Sequence, residues 1–223
     1  MAEKKRLKEK RKEQQRKIRR DLIIEVAEKS FIENGFDDAK VEQIAEDAGY
    51  TKATLYNYFD SKDDLFAAVL AKTYQRMLEK IESQLKEDSY DIMTMGEAYL
   101  SYVNMYPHQA EFLDSGRCVT INRVIIEKEQ RGEQLTESEV DFRERETGLA
   151  RFMADVIMHA TKLSGVENEE KALRIVKSLA ALNPIIRDVV RRGKAFGQSD
   201  DEIRETLSVL FRIIEQGVKH YDG

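Results

Sequence analysis

The stretch GFDDAKVEQIAEDAGYTKATLYNYFDSKDDLF, residues 35–66, constrains this chain more than any other. Two short helical patterns meet there across a glycine. In the first, from Lys40 to Ala48, Val41, Ile44, Ala45 and Ala48 recur at helical spacing and face a core, with Asp38 as the expected N-cap. Ala45 is small enough to let another helix approach closely. Gly49 follows where a left-handed residue ends a helix without a Cβ penalty. Thr51 then caps a second helix, TKATLYNYF.

At about 100° per residue the faces of that second helix separate cleanly. Leu55 and Phe59 point inward together, Ala53, Thr54 and Asn57 occupy the opposite face, and Tyr56 and Tyr58 lie on the flanks. A helix that only packs a core does not alternate in this way. The pattern fits a helix-turn-helix whose second helix enters a DNA major groove. Thr54 and Asn57 then reach base edges, Ala53 permits close approach, and the tyrosine hydroxyls donate to phosphates. Phe59 reads as core, whereas Tyr56 and Tyr58 read as interface. Ser61 caps the next helix, with Asp63 and Asp64 in its first turn as the helix dipole prefers. Lys62, a cation at a helix start, reads as a phosphate contact or as a solvated side chain. The candidate interface is Lys40, Thr51, Lys52, Ala53, Thr54, Tyr56, Asn57, Tyr58 and Lys62.

From Arg19 to Leu70 the chain resembles the DNA-binding domain of the TetR/AcrR family of bacterial and archaeal transcription regulators. The resemblance is carried by Ile23, Ala27, Phe31, Gly35, Phe36, Ile44, Ala45, Ala48, Gly49, Thr51, Lys52, Thr54, Leu55, Tyr56, Tyr58, Phe59, Ser61, Lys62, Leu65 and Phe66. Two positions depart: the family usually has a Thr-Thr pair where this chain has Ala39 and Lys40, and often a glycine at Ala53. The resemblance implies an all-α fold, with an N-terminal three-helix DNA-binding domain and a C-terminal helical bundle for effector binding and dimerisation. The expected division is a basic arm over 1–18, the DNA-binding domain over 19–66 and the effector domain over 67–223. It also implies a homodimer built from the last two helices, a palindromic duplex operator as partner, and release of a repressor by a small, largely apolar effector. The helix that starts at Lys62 would transmit the signal by a pendulum-like swing.

Composition agrees with long helices: 223 residues hold only 2 prolines and 11 glycines, and 35% are charged. No apolar run is long enough to span a membrane, and no apolar segment follows the N-terminal positive charges as in a secretory signal. Cys118 is the single cysteine, so no internal disulfide forms, and a cytoplasmic location is expected. The formal net charge of −5 conceals a segregation. Residues 3–20 hold eleven Lys/Arg and three Glu, a local +8 that leaves −13 for the remainder. The basic arm either lies along the DNA backbone, enters the minor groove, or is a solvated or helical extension without specific contacts.

The remainder reads as helices over Lys62–Lys86, Tyr90–Tyr106, His108–Glu129, Glu137–Leu163, Glu169–Gly193 and Asp200–Tyr221, with a kink at Pro184 and Gly165 after the fourth. Residues 131–139 read as an exposed loop. Methionines and aromatics between Met93 and Met158 fit either plain core or an adaptable effector cavity. The candidate ligand residues are Tyr99, Tyr102, Met105, Phe112, Arg117, Phe152, Val156 and His159. Nothing points to an enzyme, a cofactor or a metal: His108, His159 and His220 are scattered, and Cys118 has no neighbouring base in sequence.

Overall fold

The computed structural model describes residues 2–85, 91–161 and 166–219. Lys86, Tyr90, Leu163, Gly165, His220 and Tyr221, which entered the helix boundaries above, lie outside them. The described residues form helices and connections with no strand: α1 (Ala2–Asp38), α2 (Val41–Asp47), α3 (Lys52–Tyr56), α4 (Lys62–Glu82), α5 (Ile92–Met105), α6 (Pro107–Leu113), α7 (Gly116–Gln130), α8 (Glu137–Thr161), α9 (Val166–Ala180), α10 (Asn183–Ala195) and α11 (Asp200–Lys219). Among them no helix is long and apolar enough to cross a membrane.

The chain forms two compact units. One comprises Met1–Lys72 with Val119–Phe142, and the other Thr73–Cys118 with Arg143–Gly223. In the first unit α1 buries Ile23, Ile24, Ala27 and Phe31, spaced along one helical face. Gly35 breaks this helix with φ 74°. Phe36 then folds back, so that the rings of Phe31, Phe36 and Phe66 meet with centroids 5.1–5.8 Å apart. The basic segment continues α1 to Ala2, the helical extension named above as one of the alternatives.

The turn chemistry follows the sequence at Gly49 and departs from it at Asp38. Gly49 adopts φ 79°, the region that costs any residue with a Cβ. The N-cap of α2 is Lys40 and makes no side-chain cap bond, whereas Asp38 still belongs to the final turn of α1. The caps that hold are Thr51, which accepts from the Thr54 N–H at 3.2 Å, and Ser61, which accepts from the Asp64 N–H at 3.0 Å.

Two helices anticipated as continuous are broken. The His108–Glu129 segment divides at Asp114–Ser115 into α6 and α7, with Pro107 in the first turn of α6. Pro184 produces a full break, with Ala181 and Leu182 between α9 and α10. Its ring has no N–H to give, so the start of a new helix is the low-cost place for it. The expected exposed loop at 131–139 is exposed only in part, because Ser138 and Glu139 are buried in the first turn of α8.

In the second unit α5 packs against α10 and α11. A core of Ile92, Ala154, Ile157, Ala172, Ile175, Val176 and Val218 joins α5, α8, α9 and α11. Arg187 of α10 forms an ion pair with Asp114 and donates to the Ala110 carbonyl at 3.0 Å, tying α10 to α6.

Candidate nucleic-acid interface

The second helix of the motif is short. Regular α-helix covers Lys52–Tyr56, and Asn57 is its C-cap in right-handed geometry. One further turn continues through the Phe59 N–H, which donates to the Leu55 carbonyl at 3.2 Å. Leu55 and Phe59 are fully buried and anchor this segment. Ala53, Tyr56 and Asn57 are exposed, and Thr54 and Tyr58 are half-buried. The face expected to look outward therefore does so in the folded unit.

The polar groups on that face are already organised. The Thr51 and Thr54 hydroxyls share a hydrogen bond at 2.9 Å. Lys52 pairs with Glu42 across the motif, and its ammonium lies 5.9 Å from the Tyr56 ring centroid. The hydrogen bond from Lys52 holds the Glu42 carboxyl below its usual range, and the same bond raises the Lys52 ammonium. Both groups are exposed, so exchanging this pair for a phosphate contact costs little. Lys62 donates to the Asp37 carbonyl at 3.2 Å and stands 4.6 Å from the Phe36 ring centroid. Lys40 is exposed.

A set of positioning contacts behind the interface was not legible in the sequence. Asp64, buried at the start of α4, accepts from the Asp60 N–H at 2.9 Å through Oδ2, fixing the turn that follows Phe59. Its Oδ1 accepts from the Thr136 hydroxyl at 2.5 Å. Thr136 heads a capping box: its Oγ1 accepts from the Glu139 N–H at 3.1 Å, and its own N–H donates to Glu139 Oε2 at 3.0 Å. Beside it, the buried Arg20 donates to Ser138 Oγ at 2.9 Å, pairs with Glu137 and Asp141 at 3.7 Å, and lies 5.2 Å from the Phe59 ring centroid. The α7–α8 connection thus grips both the end of the recognition segment and the turn after it. These partners stand 72 and 118 residues apart in the chain. Only the T-x-x-E spacing of Thr136 and Glu139 was visible locally.

Replacing Thr136 by valine keeps the shape but removes the donor to Asp64. We expect a loss of about 1–3 kcal/mol of stability in urea unfolding, since the buried carboxylate loses a partner. Thr136→Ser should retain most of it. Equal stability of the valine variant and the wild type would show that the hydroxyl does not hold Asp64.

The second unit contains an apolar void of about 80 Å³ lined by Met77, Ile81, Ile92, Met95, Gly96, Tyr99, Leu149, Met153, Leu179, Leu182, Asn183, Ile186, Phe211 and Ile214. Of the eight candidate ligand residues only Tyr99 lines it. Tyr102 lines a separate, more polar cleft of about 280 Å³ with Thr73, Arg76, Lys80 and Tyr106. Met105 and His159 are exposed, Phe112 and Val156 are buried, and Arg117 and Phe152 are half-buried without reaching the void. Leu179, Asn183, Ile186, Phe211 and Ile214 of its lining come from α9, α10 and α11, which the sequence had suggested mainly for dimerisation. Burial pushes the Cys118 thiol up to about 12 and the Tyr99 phenol likewise to about 12. Neither is ionised near neutral pH, and Cys118 is no nucleophile there.

A capped glycine turn, a buried Leu55–Phe59 anchor and an outward polar face define the helix-turn-helix class. Residues 23–69 match the family described as "Bacterial regulatory proteins, tetR family". The chain is 31% identical over 101 residues to the uncharacterized HTH-type transcriptional regulator YdgC of Bacillus subtilis (strain 168), covering 45% of this chain and 50% of that one. It is 24% identical over 142 residues to the HTH-type transcriptional activator FasR of Mycolicibacterium smegmatis, covering 62% and 65%. The matched region spans no more than about two thirds of these curated relatives. In fold it is similar to the fatty acid degradation regulator FadR from Bacillus halodurans, with TM-score 0.54 at 18% identity over 89% of this chain and 93% of that one. Over its DNA-binding segment the chain is thus similar to tetR-family transcription regulators, and over its length it shares their all-helical fold.

Proposed function

We propose that this protein is a sequence-specific, homodimeric transcription regulator, acting as a repressor that a small, largely apolar effector releases from its operator. The observation that carries the reading is the outward face of residues 51–58, set on a Leu55–Phe59 anchor. Lys40, Lys52, Tyr58 and Lys62 serve phosphates in this reading, and Thr54 and Asn57 serve base edges. Dimerisation through α10 and α11 is favoured by exposed apolar side chains on both: Ile185 at 51%, Val209 at 54% and Ile213 at 65% exposure. Two recognition helices about 34–36 Å apart then meet successive major grooves of an inverted repeat.

Effector binding is assigned to the apolar void, which keeps Tyr99 and sets aside Tyr102, Met105, Phe112, Arg117, Phe152, Val156 and His159. A volume of about 80 Å³ is below the usual size of a ligand pocket, so occupancy requires Met77, Met95 and Met153 to repack, which flexible thioethers permit. FadR is named for fatty acid degradation, and an acyl-like effector suits such a lining. Met77 and Ile81 sit on α4, the helix that begins at Lys62. A shift of α4 on effector binding would change the half-site spacing, provided the effector prefers the shifted state. Repression follows from occlusion of a promoter, although FasR is named an activator.

The test is selection of bound sites from a random duplex library at two salt concentrations. An enriched inverted repeat supports the reading, and unenriched, steeply salt-sensitive binding overturns it. On the recovered site, Asn57→Ala should alter preference at one or two base pairs by about 1–3 kcal/mol. Tyr58→Phe should weaken all sequences alike. Equal losses on every site variant for both substitutions would sink this division of roles.

A further inference from the structure

We propose that the N-terminal extension of α1 is a rigid phosphate-binding arm that lengthens the DNA footprint beyond the half-site read by the recognition helix. This rests on the DNA-binding reading above and adds a surface to it. At 3.6 residues per turn, Lys4, Lys5, Lys8, Arg11, Lys12 and Arg19 fall within about one third of the helix circumference. Glu3, Glu9 and Glu13 all fall outside that sector. All six cations are exposed, and none has an ion-pair partner among the described residues. A helix that needed only to be solvated would gain from interleaved i, i+4 pairs of opposite sign on each face. This one keeps its acids off the sector, whereas Arg6, Lys10 and Lys17 share the opposite face with Glu3 and Glu13.

The direction of the arm is fixed at its base. Ile23, Ile24 and Ala27 bury the same helix in the unit's core, and no break intervenes before Gly35. Arg16, next around the helix from the basic sector, donates to Glu137 at 3.2 Å and stands 5.9 Å from the Tyr58 ring centroid. The sector therefore adjoins the flank of the recognition segment. From Lys4 to Arg19 the arm extends about 22 Å, enough to follow on the order of three or four consecutive phosphates of one strand. A helix about 10–12 Å across does not enter a minor groove about 6 Å wide, so the contact is with backbone phosphates and carries no base reading.

The experiment uses the full chain, with Lys4→Gln, Lys8→Gln, Arg11→Gln and Lys12→Gln combined, since glutamine keeps helix propensity. The probes are the selected duplex site with and without about ten flanking base pairs on each side, and a random-sequence duplex. Wild type should bind the flanked duplex on the order of tenfold or more tightly than the variant at physiological salt, with a log–log salt slope steeper by about one per lost phosphate contact. The preference of the variant for the site over random duplex should stay within about twofold of wild type. Matching affinities and slopes for variant and wild type would overturn the arm while leaving the recognition helix standing. So would a loss of sequence preference in the variant, which would place the arm in base reading. Absence of duplex binding by wild type would remove the DNA reading and the arm with it.

Discussion

Phe59→Ala is expected to destabilise the first unit by about 3–5 kcal/mol, the usual cost of emptying a buried aromatic site. Phe59 is 1% exposed, and its ring is the surface on which the Arg20 guanidinium lies at 5.2 Å. Truncation therefore opens a cavity and also strips the apolar cover from a buried cation held by Ser138, Glu137 and Asp141. Because Phe59 closes the last turn after Leu55, the loss falls on the segment that presents Thr54 and Asn57. Urea unfolding should show the lowered midpoint, and amide exchange should speed up most across residues 51–64. Phe59→Leu, which refills much of the volume, should recover more than half of the loss. A midpoint unchanged by the alanine would mean that Phe59 does not anchor the recognition segment, and the outward assignment of Asn57 would fall with it.

The parts of this unit that the sequence revealed are those whose cause is local. Thr51, Gly49 and Ser61 act within three or four residues of themselves, and Leu55 and Phe59 show their side by spacing alone. Asp38 misled because Gly35 permits a sharp turn without ending hydrogen bonding. The Ala39 N–H still donates to the Gly35 carbonyl at 3.3 Å, so the capping role passes to Lys40. Arg20 and Asp64 were beyond reach for a different reason. In sequence they are one arginine in a basic run and one acid in a helix's first turn. Their roles exist only once Thr136 and Ser138 arrive from the α7–α8 connection. The same limit explains the ligand residues. Aromatics on α5 and α6 read as a cavity by composition, but the void takes its lining from where α5 leaves room against α10 and α11, and only Tyr99 of the set faces it.

Gly193→Val should cost about 3 kcal/mol, toward the upper end for overpacking a tight contact. A Cβ at Gly193 would lie 2.6 Å from Ile203 Cγ1 and 2.7 Å from Gln198 Oε1. Ile203 is 1% exposed, so its branched side chain has little room to retreat, and α10 and α11 must separate. Gly96 supplies the control. A Cβ there would meet the Phe211 ring at 2.9 Å, but both residues border the void of about 80 Å³, into which the ring can turn. Gly96→Ala should therefore cost less than about 1 kcal/mol, offset by the helix propensity that alanine adds, and should shrink the cavity. Differential scanning calorimetry of the two variants separates these cases. If Gly96→Ala unfolds at the lower temperature of the two, the void is not free to receive the ring. The methionine-lined cavity would then be too stiff to accept an effector by repacking, and an effector would have to enter elsewhere, with the more polar cleft beside Tyr102 and Arg76 the next place to look.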